Sequence, residues 1–174
     1  GESRVENCTF DNFSLDYYSE TENEYGISPK RKMKEIYDYC VKYVNDFSYK
    51  PQNILMYGET GLGKTHLSLA MAAEVSKKGY KVIYGSAQNL LRKVEKEHFS
   101  GGDDETINSL LECDLLVLDD LGTEFESRFN ASQVYNIINT RLNFSLPTII
   151  STNLTMTELE GRYEQRVVSR LIGE

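Results

Sequence analysis

Apolar residues recur along this chain with two different periods. Met33, Ile36, Tyr37, Cys40, Val41 and Val44 fall three and four apart, the spacing of one buried helix face, and predict a helix over 28–47. Ser28-Pro29 supplies its start: a serine cap, then a proline in the first turn, where a missing N–H costs nothing. Residues 53–57, 81–84, 114–118 and 147–151 are short, nearly continuous apolar runs rich in β-branched side chains, and they predict buried strands. Helical patterns separate them, over 64–78 (ended by Gly79), 87–98, 105–112 and 130–144. In the last of these Val134, Ile137, Ile138, Arg141 and Leu142 share one face. Residues 100–104 read as a loop, and two short helices are expected over 156–160 and 162–171. Strands alternating with helices imply an α/β fold, a parallel sheet covered on both faces, and right-handed crossovers favour a doubly wound order. Residues 1–27 break the pattern, with Phe10, Phe13, Tyr17, Tyr18 and Tyr25 set among acids and asparagines. We expect an irregular lead segment packed on a single domain formed by 28–174.

A length of 174 residues, 40% hydrophobic and 26% charged, suits one globular domain. No apolar run approaches the roughly 18 residues that cross a bilayer, and no secretory leader is evident, so a cytoplasmic protein without membrane contact is expected. Cys8, Cys40 and Cys113 are far apart and form no CxxC, which argues against a zinc site or a disulfide framework. Cys113 adjoins an apolar run and reads as a small core residue. The net charge of −8 argues against a surface built to coat duplex DNA unaided, while leaving room for a local basic surface. Lys30, Arg31, Lys32 and Lys34 form one basic cluster, and Arg92, Lys93 and Lys96, with Phe99 nearby, form another. Both fit solvated helix faces. The second also fits a single-strand groove, where basic side chains accompany stacking aromatics.

The clearest chemistry lies between the first strand and the helix after it. Gly58, Glu59, Thr60, Gly61, Leu62, Gly63, Lys64 and Thr65 match G-x-x-x-x-G-K-[ST]. Glycines let the backbone curl around phosphates with its N–H groups inward, and the following helix presents its positive end to the same anion. Lys64 can reach the β- and γ-phosphates, and the Thr65 hydroxyl can ligate Mg²⁺. The third strand ends in Asp119 and Asp120, at the edge where doubly wound sheets bind ligands. Asp119 would hold the metal, and Asp120 would orient and activate water. The fourth strand runs into Asn153, which would face the γ-phosphate if that strand lies between the first and third; otherwise Asn153 or Thr155 caps a helix. Arg166 and Arg170, four apart, share a helix face and read either as a solvated pair or as an arginine finger offered to a neighbouring subunit.

Taken in order, GETGLGKTHL, LLVLDDLGTE, IISTNL and RVVSRLIG resemble the cores of AAA+ ATPases, and among them the bacterial helicase loaders of the DnaC/DnaI type and the IstB-like transposase helpers. The segment TFDNFSLDYYS is similar to the stretch before the P-loop in these loaders. The resemblance implies a three-layer α/β/α P-loop NTPase of the ASCE class with a mostly parallel sheet. It implies that residues 58–66, His66 included, bind ATP or ADP with Mg²⁺. It places Thr65 and Asp119 at the metal, Asp120 in Walker B, Asn153 at sensor 1, and Arg170 at the finger with Arg166 as companion. It further implies slow ATP hydrolysis, self-association through a composite ATP site, and loading of the replicative helicase onto single-stranded DNA, with the helicase held by a segment outside this chain. Asp-Asp replaces the commoner Asp-Glu of Walker B, and no residues remain for a fifth strand, a lid or a sensor 2 arginine. An IstB-like transposase helper acting on duplex DNA is the alternative. A metabolic P-loop kinase is a third reading, disfavoured by the acid, Asn and Arg arrangement.

Overall fold

The computed structural model describes residues 8–49, 51–58 and 63–172. Helix α1 (Pro29–Asn45) leads into strand β1 (Ile54–Met56), helix α2 (Lys64–Lys77) and strand β2 (Val82–Ser86). Helices α3 (Ala87–Phe99) and α4 (Glu105–Glu112) precede strand β3 (Leu115–Asp119), then helix α5 (Arg128–Asn143), strand β4 (Thr148–Ser151) and helix α6 (Met156–Ile172). The four strands form one parallel sheet in the order β1-β4-β3-β2. Each parallel step needs a crossover, and the helices between strands supply it.

Every residue of β3 and β4 is buried, yet each strand still sorts its side chains by parity. Leu115, Val117 and Ile149 join Met33, Cys40, Leu67, Met71 and Val75 under α1 and α2. Leu116, Leu118 and Ile150 join Leu91, Leu110, Val134, Ile137 and Val168 under α3 to α6. Alternate residues of a strand point to opposite faces, so one central strand feeds two cores and three layers result.

Strands β2 and β3 begin and end later than the apolar runs suggest, and β4 begins one residue later. Asp114 stays outside β3 because its carboxylate accepts the Lys81 N–H at 2.7 Å, whereas Asp119 remains in the ladder opposite Ser86. The second strand continues through Gly85, where Leu90 packs 2.7 Å from the position a Cβ would take. Any larger residue there would push α3 off the strand. Helix α5 starts two residues early, at Arg128, because Ser127 caps it by accepting the Asn130 N–H at 3.1 Å. The break in the last helical stretch, expected at Gly161, falls three residues later at Glu164 (φ 66°, ψ 143°).

Residues 8–27 lie against the α1–α2 layer. Phe13 stacks on Tyr37 with ring centroids 5.6 Å apart, and the Tyr37 hydroxyl donates to the Phe10 carbonyl at 3.0 Å. Among the described residues no helix is long and apolar enough to cross a membrane.

Candidate functional site

The strand order puts β4 between β1 and β3, so the ends of three strands and the start of α2 converge at one sheet edge. Gly58 leaves β1 with φ 117°, and Gly63 enters α2 in the left-handed conformation at φ 81°. Both angles suit glycine and strain other residues. Glu59, Thr60, Gly61 and Leu62 lie outside the described residues. Among the described residues no side chain caps the N-terminus of α2, whose first-turn N–H groups carry the positive end of the helix dipole. His66, in that turn, hydrogen-bonds through Nε2 to the Thr9 carbonyl at 2.7 Å and meets the Phe13 ring edge-on. The lead segment is thereby tied to the helix that follows the loop.

Lys64 donates to the Gly58 carbonyl at 2.9 Å, turning its side chain back towards the end of β1. Burial lowers its pKa, and the carboxylates of Asp120 and Asp119 work in the opposite direction. The Thr65 hydroxyl sits 3.4 and 3.3 Å from the two carboxylate oxygens of Asp119. Asp119 is 5% exposed and also accepts from Ser151 through Oδ1 and from Tyr84 through Oδ2, the latter at 2.8 Å. Asp120 adopts φ 53° and turns the chain sharply at the strand end. Its N–H donates to Ser151 Oγ at 3.1 Å, and its carbonyl accepts from the Thr123 hydroxyl at 2.7 Å. Ser151 therefore bridges the side chain of one acid and the backbone of the next. Non-glycine residues held at positive φ are uncommon and cluster at functional sites.

The oxygen set fits a hard divalent cation. A threonine hydroxyl and one carboxylate supply oxygen donors only, and among the described residues no cluster of three or more His, Cys, Asp or Glu could cage a metal. Mg²⁺ is bound in this way, keeping waters and taking substrate phosphates as its remaining ligands.

Asn153 is exposed just past the end of β4. It does not cap the next helix: Thr155 and Glu158 do so reciprocally, each side chain accepting the other's N–H at 3.1 Å. Thr152 anchors the turn, its N–H donating to the Met56 carbonyl at 2.9 Å and its hydroxyl to the Leu121 carbonyl at 2.5 Å. Arg166 is exposed, with its guanidinium 5.9 Å from the Tyr135 ring centroid. Arg170 donates to Asn139 and Asn143 of α5. It lines a cavity with Gln52, Asn53, Ser145 and Pro147, residues that precede β1 and β4. Arg170 thus sits at the opposite sheet edge from Lys64, Asp119 and Asp120.

Three partners were not singled out by sequence reasoning. Ser151 and Tyr84 end or line apolar runs, and only strand register brings them to Asp119. Glu124, 4% exposed, accepts from the Gly122 N–H at 2.9 Å and from the Tyr163 hydroxyl, and pairs with Arg162 at 3.7 Å. This network ties the loop after the paired acids to α6. The rings of His98, Phe99 and Phe129 cluster with centroids 5.0 to 5.4 Å apart. Phe99 is 68% exposed, and Arg92 and Lys96 lie on the same helix face.

Residues 22–172 match the family described as IstB-like ATP binding protein. The chain is 25% identical over 168 residues to the replicative helicase loader DnaC of Escherichia coli K12, covering 95% of this chain and 63% of that protein. Among solved structures, the DnaC helicase loader superposes with a TM-score of 0.78 at 25% identity, covering 97% of this chain and 93% of that one. The replication initiator DnaA bound to AMPPCP and single-stranded DNA superposes at 0.75 with 26% identity, over 95% of this chain and 47% of that one.

Proposed function

The chain belongs to the IstB-like ATP-binding family, and from that premise we propose that it is the ATPase core of a nucleotide-switched loader that places the replicative helicase on single-stranded DNA. The observation that carries this reading is the convergence of Lys64, Thr65, Asp119, Asp120 and Asn153 on one sheet edge. The likeness to DnaC over nearly the whole chain supports the loader role. The chain spans 63% of that loader's length, so helicase contact is assigned to the longer protein.

In this reading Gly58, Gly63 and the first turn of α2 cradle the triphosphate, together with Glu59, Thr60, Gly61 and Leu62. Thr65 and Asp119 hold Mg²⁺, which when bound neutralises charge on the β- and γ-phosphates. Lys64 leaves the Gly58 carbonyl for the phosphates, a stronger charge-assisted partner. Asp120, turned by its positive φ, accepts a proton from the attacking water, and Asn153 orients that water. The shorter reach of Asp compared with Glu suits slow turnover and a switch more than a motor. Arg170 and Arg166 complete the site of the next subunit. Single-stranded DNA lies along α3, with phosphates on Arg92, Lys93 and Lys96 and a base stacked on Phe99.

The family match also supports the transposase-helper reading, in which duplex DNA replaces helicase and single strand. Capture of the cognate replicative helicase by the full-length protein separates the two. Retention with ATP and release after hydrolysis is expected for the loader. No retention, with binding to duplex DNA instead, would decide for the transposase helper.

A further inference from the structure

The carboxylate of Asp119 is gripped by hydroxyls from three elements, and one of them belongs to no nucleotide-binding motif. Thr65 comes from α2 and Ser151 from the end of β4, whereas Tyr84 stands in the middle of β2. Tyr84 donates to Oδ2 at 2.8 Å, closer than Thr65 approaches the same oxygen at 3.3 Å. The geometry follows from register. Tyr84 lies opposite Val117 in the parallel β2–β3 pair, and residues two apart on a strand share a face. Tyr84, Val117 and Asp119 therefore all point towards α2, where Thr65 waits. The Tyr84 ring packs beside Val82 and Val117 in the core under α1 and α2, which fixes where its hydroxyl sits.

We propose that Tyr84 is a positioning residue for the metal-holding carboxylate, acting through Asp119 on Mg²⁺. This rests on reading Thr65 and Asp119 as the metal-holding pair. Each carboxylate oxygen has room for about two hydrogen-bond or metal partners. With Ser151 on one side and Tyr84 on the other, the carboxylate plane is set, with the Thr65 hydroxyl facing both of its oxygens. Two effects then oppose each other. A donor on Oδ2 withdraws charge and weakens its pull on a cation. The same donor holds the carboxylate in one rotamer, so no freedom is lost when the cation arrives. Removing a partner of a ligating group typically lowers metal affinity about 10- to 100-fold, so positioning outweighs charge withdrawal.

The test is Mg²⁺ titration of fluorescent-nucleotide binding to the protein, with an EDTA reference at each nucleotide concentration. Tyr84→Phe keeps the ring and removes the hydroxyl. It is expected to raise the half-saturating Mg²⁺ concentration about 10-fold while leaving affinity in EDTA at the wild-type value. Asp119→Asn marks the full loss of Mg²⁺ dependence. A Tyr84→Phe curve that superimposes on wild type, with Asp119→Asn shifted, overturns the role of Tyr84 and leaves the phosphate site standing. An equal fall in affinity with and without Mg²⁺ also overturns it, because that is the signature of a disturbed core. Wild-type protein that binds nucleotide identically in Mg²⁺ and EDTA removes the metal-holding pair itself, and Tyr84 with it.

Discussion

Lys64 holds its charge where burial works against it. Desolvation lowers its pKa and the two aspartates restore only part of the loss. The charged form is the one that pairs with phosphate, so the sign is fixed: nucleotide affinity is highest while Lys64 is protonated and falls as pH rises through its lowered pKa. The fall is expected at a lower pH than for an ordinary lysine, and it should vanish in Lys64→Met, which binds weakly at every pH. Nucleotide titrations between neutral and strongly alkaline pH check this, and a flat wild-type profile up to the ordinary lysine range would contradict it. Lys64, Thr65 and Asp119 were legible in the sequence because each lies in an unbroken local pattern: a glycine loop, or an apolar strand that ends in acids. Asn153 was legible as a polar residue after a strand, with its place depending on strand order. Tyr84 and Ser151 were not legible as partners of Asp119, because what joins them is register between strands 30 or more residues apart.

Among the elements, α5 shows how far periodicity carries. Its apolar stripe was evident, and Arg141 falls within that stripe. The structure buries Arg141 completely and spreads its guanidinium over the Leu110, Cys113 and Pro147 carbonyls and the Thr148 hydroxyl, at 2.8 to 2.9 Å. One side chain thereby joins the end of α4, the approach to β3 and the start of β4. Burial lowers the arginine's pKa, yet the set of acceptors keeps it satisfied. Arg141→Met fills similar volume but leaves several buried acceptors short of a donor, each costing about 1–3 kcal/mol. Relief of the buried charge offsets part of this, so a net loss of about 3 kcal/mol is expected, read as a lower urea midpoint with unchanged slope. A change within about 1 kcal/mol would mean that apolar packing replaces the network fully. Strand limits were less legible for the same kind of reason. Asp114 and Asp119 flank the apolar run of β3 alike in sequence, and only their partners, the Lys81 N–H outside the ladder and the Ser86 register within it, tell them apart.

At the scale of the whole molecule, a parallel sheet separates its two edges. The C-terminal edge gathers Lys64, Asp119, Asp120 and Asn153, while Arg170 is held by Asn139 and Asn143 beside residues that enter the strands. An arginine on the far edge cannot reach its own nucleotide without unfolding α6, so under the proposed function its target is the nucleotide of an adjacent copy. The net charge of −8 would make copies repel at long range, so the proposed assembly would depend on a local attraction between bound triphosphate on one subunit and Arg166 and Arg170 on the next. Wild-type protein is therefore expected to sediment as a larger species with a non-hydrolysable ATP analogue than without it. Arg170→Ala should stay small in both conditions and bind nucleotide with wild-type affinity. Its ATPase rate should fall by about 10³-fold or more, the scale of a lost arginine finger. Arg170→Lys separates charge from geometry: it keeps a cation against α5 but lacks the planar fork, and should assemble partially while remaining as slow as the alanine variant. Mixing Arg170→Ala with Lys64→Ala subunits provides the decisive arm. Each variant is inactive alone, yet a mixed assembly pairs an intact Lys64 site with an intact Arg170 from its neighbour and should recover activity. Recovery on mixing requires a finger that acts between subunits. No recovery, with both variants still assembling in the mixture, would return Arg170 to a structural role on α5.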